Sequence, residues 1–97
     1  MTPDDEAKRI KERERAGLAR QILDNPIWGE AWEKITSNLL GNMEDARLDM
    51  ESTYEAKRQL LAVRVVRKHL EDLVTTGAMA EKQLAENAER KRGKSKR

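Results

Sequence analysis

Apolar residues recur at helical spacing through the middle of the chain. From Trp28 they step by four, three, four, four and three residues to Ala46, which is the spacing of one face of an α-helix. Asn25 and Pro26 come just before this stripe, and Asn followed by Pro is typical of an N-cap and the first helical position. The pattern predicts a helix over about residues 26–50. Its apolar stripe is Trp28, Trp32, Ile35, Leu39, Met43 and Ala46.

A second apolar pattern follows after a short polar interval. Ser52 and Glu55 have the spacing of a capping box, and Gly77 is a residue typical of a helix end. Between them lie two adjacent apolar rows, one of Tyr54, Leu61, Val65 and His69, the other of Leu60, Val63, Val66, Leu70, Leu73 and Val74. The β-branched run "LLAVRVV" is compatible with a strand, but the helical spacing and the length of more than 20 residues favour a helix. We expect it over about residues 53–76.

Weaker helical patterns flank these two segments. Thr2 and Pro3 are suited to a helix start, and the sequence after Gly77 restarts as a thin helix that leads into basic residues. The expected fold is therefore all-α, an antiparallel helical hairpin with weaker flanking helices. Its expected parts are a charged N-terminal helix (1–24), the hairpin core (25–77), and a weak helix with a basic disordered tail (78–97). The alternative is one continuous helix from 26 to 76, which would need an oligomeric partner along its whole length.

The composition leaves little material for a core. Of the 97 residues, 37% are hydrophobic and 39% are charged, and small chains bury a low fraction of their surface. The chain has no cysteine and one histidine, so neither a disulfide nor a zinc site of the usual ligands is expected, and we expect no cofactor. Stability is then expected to come from self-association or a partner. Since no segment approaches the roughly 20 apolar residues of a membrane span, we expect the protein in the cytoplasm.

The two tryptophans stand one helical turn apart in a chain with one other aromatic residue, Tyr54. Two aromatic rings could stack on a base or ligand, but that use favours a basic groove, and "WGEAWEKI" holds two glutamates and one lysine. We interpret the pair as part of a core or a subunit interface, where Trp is enriched. The residues expected to make core and subunit contacts are Trp28, Trp32, Ile35, Leu39, Leu61, Val65, Val66 and Leu70.

Groups capable of catalysis are scarce. His69 has no matching nucleophile and is interpreted as a helix-surface or packing residue. Glu44, Asp45 and Asp49 form an acidic cluster near the expected turn; paired carboxylates can bind a metal or transfer protons, but they are more often solvated. We expect no catalytic site, no metal site and no small-molecule substrate.

The last eight residues, "RKRGKSKR", concentrate positive charge. They hold six of the 20 Lys and Arg residues and no acid, so residues 1–89 carry 14 basic against 18 acidic residues. Such a segment attracts phosphates without reading base sequence, and the alternative is a solubilising end. The candidate phosphate contacts are Arg90, Lys91, Arg92, Lys94, Lys96 and Arg97.

Three segments resemble short helical proteins encoded among the DNA-packaging and head-assembly genes of tailed bacteriophages. They are "ARQILDNPIWGEAWEKI" (Ala19–Ile35), "LDMESTYEAKRQLLAV" and "HLEDLVTTGAMAEKQLAE" (His69–Glu86), and the match that they span covers about two-thirds of the chain. The resemblance implies an α-helical, oligomeric, non-enzymatic virion-assembly component similar to a small terminase subunit. Many small terminases carry an N-terminal helix-turn-helix; residues 1–24 here form one charged helix, so non-specific contact through the basic tail would replace it.

The functional hypothesis is an oligomeric assembly or adaptor protein of a tailed phage. In the first form it acts in DNA packaging, as a homo-oligomer in the bacterial host or the virion, with its tail on nucleic-acid phosphates. Two alternatives remain: a scaffolding or internal head protein that binds coat protein, and a phage protein that binds a host enzyme through its helical face.

Overall fold

The structure, a computed structural model, describes the backbone of residues 1–95 and the side chains as far as residue 93. Most of these residues lie in α-helices. The helices are α1 (Pro3–Leu23), α2 (Pro26–Glu44) and α3 (Met50–Ser95). Residues 1–95 contain no strand, so the all-α prediction is confirmed and the strand alternative for "LLAVRVV" is excluded. The alternative of one continuous helix from 26 to 76 is wrong, because residues 45–49 separate α2 from α3.

The first two helices begin where the sequence predicts. At the start of α1, the Asp5 amide donates to Thr2 Oγ1 (3.1 Å) and the Thr2 amide donates to Asp5 Oδ2 (3.4 Å), a reciprocal cap. At the start of α2, Asn25 Oδ1 accepts from the amides of Ile27 (2.8 Å) and Trp28 (3.3 Å). Each cap satisfies amides that have no partner within the helix.

The third helix begins earlier than predicted. Asp49, rather than Ser52, is its cap: Asp49 Oδ1 accepts from the Ser52 amide at 2.7 Å, and the Thr53 hydroxyl donates to the Asp49 carbonyl at 2.9 Å. The prediction of Ser52 as the cap is therefore wrong. Aspartate is a better cap acceptor once ionised, because it places a negative charge at the positive end of the helix.

The third helix also ends later than predicted. Gly77 lies inside α3 and does not end it, so the predicted end at residue 76 is wrong, and residues 90–95 are helical where the sequence predicted a disordered tail. A Cβ at Gly77 would overlap Ala16 Cβ and lie 3.1 Å from the Glu12 carbonyl oxygen. The glycine is needed for this close approach of α1, not for the left-handed backbone of a helix end.

The chain divides into two compact units. Unit 1 consists of residues 1–21 with the residues from 70 onward, and unit 2 is Ile22–His69. The core of unit 1 is built from small side chains: Ala16, Ala19 and Ala80 are at most 6% exposed, and Gly77 is buried beside them. An exposed ion pair joins Lys91 Nζ to Glu6 Oε2 at 3.3 Å.

The core of unit 2 is built from larger side chains. Leu39 of α2 packs with Ala56 and Leu60 of α3, and Met43 packs against this cluster. Leu39, the most exposed of the three, retains 8% of its surface. Leu39 and Ala56 lie within seven residues of the connection 45–49 along the chain, so this connection joins the ends of α2 and α3 that pack together.

We expect Gly77→Ala to lower the free energy of unfolding by about 1–3 kcal/mol, which is the usual cost of overpacking. The reason is the overlap of the added methyl group with Ala16. An ordinary Gly→Ala change inside a helix has the opposite sign and stabilises by about 0.5–1 kcal/mol. Thermal and urea unfolding followed by circular dichroism measures the change.

Gly17→Ala is the matched control for this prediction. Gly17 lies in α1 within the same unit, and a Cβ there meets nothing within 4 Å, so its Tm should rise. The double variant Ala16→Gly with Gly77→Ala should recover part of the Gly77→Ala loss. A rise in Tm for both single variants would contradict the contact between α1 and α3.

Candidate interaction surfaces

The two tryptophans form a stacked pair on α2. The ring centroids of Trp28 and Trp32 lie 6.2 Å apart with 27° between the planes, and both side chains are half-buried. The guanidinium carbon of Arg67, on α3, lies 4.9 Å from the centroid of Trp32, within the range of a cation–π contact. One face of Trp32 is thus occupied from within unit 2, which favours packing over an open stacking platform.

The indole nitrogen of Trp28 lacks an acceptor. Trp28 Nε1 is enclosed and makes no hydrogen bond within the described part of the chain. Because the indole N–H can only donate, leaving it unpaired costs about 1–3 kcal/mol. Within the described part of the chain Trp28 therefore contributes apolar contact rather than a hydrogen bond.

The eight predicted core and interface residues occupy three environments. Leu39 is buried, whereas Trp28, Trp32 and Leu70 are half-buried. The other four, Ile35, Leu61, Val65 and Val66, are 46–67% exposed. These four do not belong to a core of this chain, and their contact with a second molecule stays a prediction.

An apolar groove lies where α3 begins. It has a volume of about 320 Å³, and its lining is Leu48, Met50, Thr53, Tyr54 and Lys57. Met50 is 73% exposed and Tyr54 58%, so the groove presents large apolar side chains to its surroundings. Sequence reasoning missed Leu48 and Met50, because it placed them at the end of a helix over residues 26–50, whereas α2 ends at Glu44 and Met50 begins α3. The position of Met50 one turn before Tyr54 would have signalled the earlier start of α3.

The acidic cluster near the connection has structural partners. The carboxylate of Asp45 accepts from the Arg47 amide (2.9 Å) and from Arg47 Nη2 (3.0 Å), and these bonds hold the pKa of Asp45 below its ordinary value. The hydrogen bonds from Ser52 likewise lower the pKa of Asp49. Within residues 1–93, no three His, Cys, Asp or Glu side chains come together in a way that could hold a metal ion. Asp49 therefore caps α3, and the bonds between Asp45 and Arg47 stabilise the connection between α2 and α3.

The candidate phosphate contacts lie on a helix as far as they are described. Arg90, Lys91 and Arg92 are exposed residues of α3, and Lys91 pairs with Glu6. Consecutive helical residues are separated by about 100°, so these three cations point in different directions. The side chain of Lys94 and the residues Lys96 and Arg97 lie outside the described residues. His69 is also exposed on α3.

Comparison of the chain with protein-family models, with curated protein sequences and with solved structures finds no match. Of the helices in the described range, none combines the length and the apolar character needed to span a bilayer.

We expect the cap at Asp49 to make the stability of unit 2 depend on pH. The pKa of Asp49 in the folded protein lies below its ordinary value of 3.8. Folding thus favours the ionised form, and the stabilisation is complete above 3.8 and is lost as pH falls through the folded pKa. Asp49→Ala should lower Tm at neutral pH, and the gap to the wild type should narrow on acidification.

Asp49→Asn is the control, since asparagine is also a good N-cap but does not titrate. The Tm difference between Asp49→Asn and Asp49→Ala should stay constant over the same pH range. A constant difference between wild type and Asp49→Ala would show that the Asp49 carboxylate has no role in starting α3.

Proposed function

We propose that this protein is a non-enzymatic, oligomeric assembly protein of a tailed bacteriophage, acting in DNA packaging in the manner of a small terminase subunit. Its basic C-terminal end would contact nucleic-acid phosphates. The observation that supports the proposal most is the contrast in unit 2 between a core of three buried residues, Leu39, Ala56 and Leu60, and the large apolar side chains outside that core.

Two contacts join α2 and α3 at different points along the two helices. Leu39, near the end of α2, packs with Ala56 and Leu60 near the start of α3. Trp32, earlier in α2, meets Arg67, later in α3. The order of these contacts supports an antiparallel hairpin closed by residues 45–49. A two-helix hairpin buries one stripe on each helix and leaves the remaining faces for other molecules.

Unit 2 exposes ten large apolar side chains by 38–73%: Ile22, Ile27, Ile35, Leu40, Leu48, Met50, Tyr54, Leu61, Val65 and Val66. Scattered apolar residues are normal on a surface, but contiguous patches mark contact sites. Several of these side chains recur at helical spacing, which favours contact with another helical protein or with a second copy.

Positive charge is concentrated at the end of α3. Arg90 and Arg92 are exposed and adjacent in sequence to Lys91, and the following residues are rich in Lys and Arg. A helix with cations around its circumference suits sequence-independent contact with a phosphate backbone. Contact of these cations with DNA would distinguish a role in packaging from the scaffold and host-enzyme alternatives.

We expect the purified protein to be an oligomer in solution. Native mass spectrometry and analytical ultracentrifugation at low and moderate salt should give a mass that is a multiple of 11.2 kDa. Because the contacts are mainly apolar, the mass should not fall with added salt. A monomer at all accessible concentrations would contradict the assembly role.

We expect duplex DNA binding to weaken steeply with salt and to depend on the end of α3. The double variant Arg90→Gln, Arg92→Gln should reduce the slope of log K against log salt by about two, since each lost phosphate contact removes about 0.9. Fluorescence anisotropy with duplexes of unrelated sequence measures the binding.

The matched control is Arg13→Gln with Arg15→Gln, two exposed residues of α1 that change the net charge equally. Their slope should stay near that of the wild type. Equal losses in both double variants would show that net charge, not the end of α3, governs binding. An oligomer without any DNA binding would favour the scaffold alternative.

A further inference from the structure

We propose that Glu6, in the first turn of α1, competes with nucleic-acid phosphates for Lys91 at the basic end of α3. In the free protein the Glu6 carboxylate binds the Lys91 ammonium group, and it releases that group when a nucleic acid binds. The inference rests on the proposed contact with nucleic acid and adds an intramolecular contact that opposes it.

The start of α1 lies beside the end of α3 within unit 1. Gly77 of α3 lies against Ala16 of α1, and further along α3 the Lys91 Nζ donates to Glu6 Oε2 at 3.3 Å. Residue numbers rise along α3 as those of its partners in α1 fall, so the two helices run antiparallel. The first turn of α1 therefore lies next to the last described turns of α3.

A cavity in unit 1 shows the same proximity. Its lining combines the first residue of the chain with four residues of α3: Met1, Gln83, Glu86, Asn87 and Arg90. The neighbourhood of α1 and the basic end of α3 thus does not depend on the position of the Lys91 side chain alone.

The segments that meet here carry charges of opposite sign. The first turn of α1 is acidic and holds Asp4, Asp5 and Glu6. The described end of α3 is basic and holds Arg90, Lys91 and Arg92. Charges of the other sign are close in sequence, namely Lys8 on α1 and Glu86 and Glu89 on α3. The observed bond, rather than a net charge, therefore identifies the acid and the cation that compete.

Glu6 is the acid of this turn that contacts α3. The Asp5 carboxylate accepts instead from the Thr2 amide at 3.4 Å, as part of the cap of α1. Side chains tilt toward the N-terminus of their own helix, so on antiparallel neighbours Glu6 and Lys91 extend in opposite directions and meet between the helices.

The bond between Glu6 and Lys91 is accessible to a competing anion. The Glu6 side chain is 38% exposed and the Lys91 side chain 62%, and an exposed ion pair contributes little to stability. A carboxylate at this distance offsets the charge of the ammonium group and repels an approaching phosphate. A duplex carries one negative charge per roughly 1.7 Å of its axis, so it can replace the single carboxylate. The exchange weakens nucleic-acid binding without preventing it.

Glu6→Gln tests the competition, because glutamine keeps the size and the helix propensity of the side chain and removes its charge. Binding of fluorescein-labelled duplex DNA at low salt, measured by fluorescence anisotropy, should become about two- to fivefold tighter, the range expected for one exposed ion pair. The gain should decline as salt is added, because salt screens exposed charges. Helix content and Tm by circular dichroism should stay near those of the wild type.

Glu14→Gln is the matched control. Glu14 is also an exposed acid of α1, lies about 12 Å further along the helix axis, and gives the same change of net charge. Its gain in affinity should be smaller. In the Lys91→Gln background, Glu6→Gln should give no more gain than Glu14→Gln, because the competing pair has already lost its cation.

The outcomes separate this inference from the proposed function. Equal gains for Glu6→Gln and Glu14→Gln, or a full gain for Glu6→Gln in the Lys91→Gln background, would overturn the competition while leaving DNA binding in place. Absence of duplex binding in both the wild type and Glu6→Gln would overturn the proposed DNA contact together with the competition.

Discussion

The close approach of α1 to α3 at Gly77 is the constraint on which unit 1 depends. The residues buried around it, Ala16, Ala19 and Ala80, carry one methyl group each, so the hydrophobic area that they remove from water is small. Close packing of the two helices compensates for the small buried area, because helices without large side chains between them bring many backbone atoms into dispersion contact. That gain exists only while the position facing Ala16 lacks a Cβ, which makes shape, more than hydrophobicity, the determinant of the pairing.

Unit 2 follows the opposite principle. Its helices are separated by Leu39, Leu60 and the tryptophan pair, and its core of three residues is small relative to the apolar side chains that the unit exposes. Covering those side chains in an assembly would add burial that the single chain cannot supply. Stability would then depend on concentration by mass action, and folding and assembly would be thermodynamically linked. A chain with this composition needs such a link more than a larger domain does.

Sequence reasoning located the helices better than their ends. The start of α2 was readable because its cap is local: Asn25 bonds to amides two and three residues away. The role of Gly77 was not readable, since a glycine inside a helical pattern indicates an end unless the distant Ala16 is known to lie against it. Asp49 was missed for a third reason, namely that Ser52 and Glu55 offered an equally plausible cap three residues later. The candidate surface was only partly predicted, because periodicity identifies an apolar row without stating which molecule covers it.

The two proposed activities belong to different units. Contacts between copies are proposed for the exposed apolar side chains of unit 2, and phosphate contacts for the residues from Arg90 onward, which belong to unit 1. Each unit has its own buried residues. Lys91 is the exception on functional grounds, because its bond to Glu6 ties a candidate phosphate contact to α1. A phosphate that captures Lys91 competes with that carboxylate, so binding at the end of α3 would weaken the tie to α1 within unit 1.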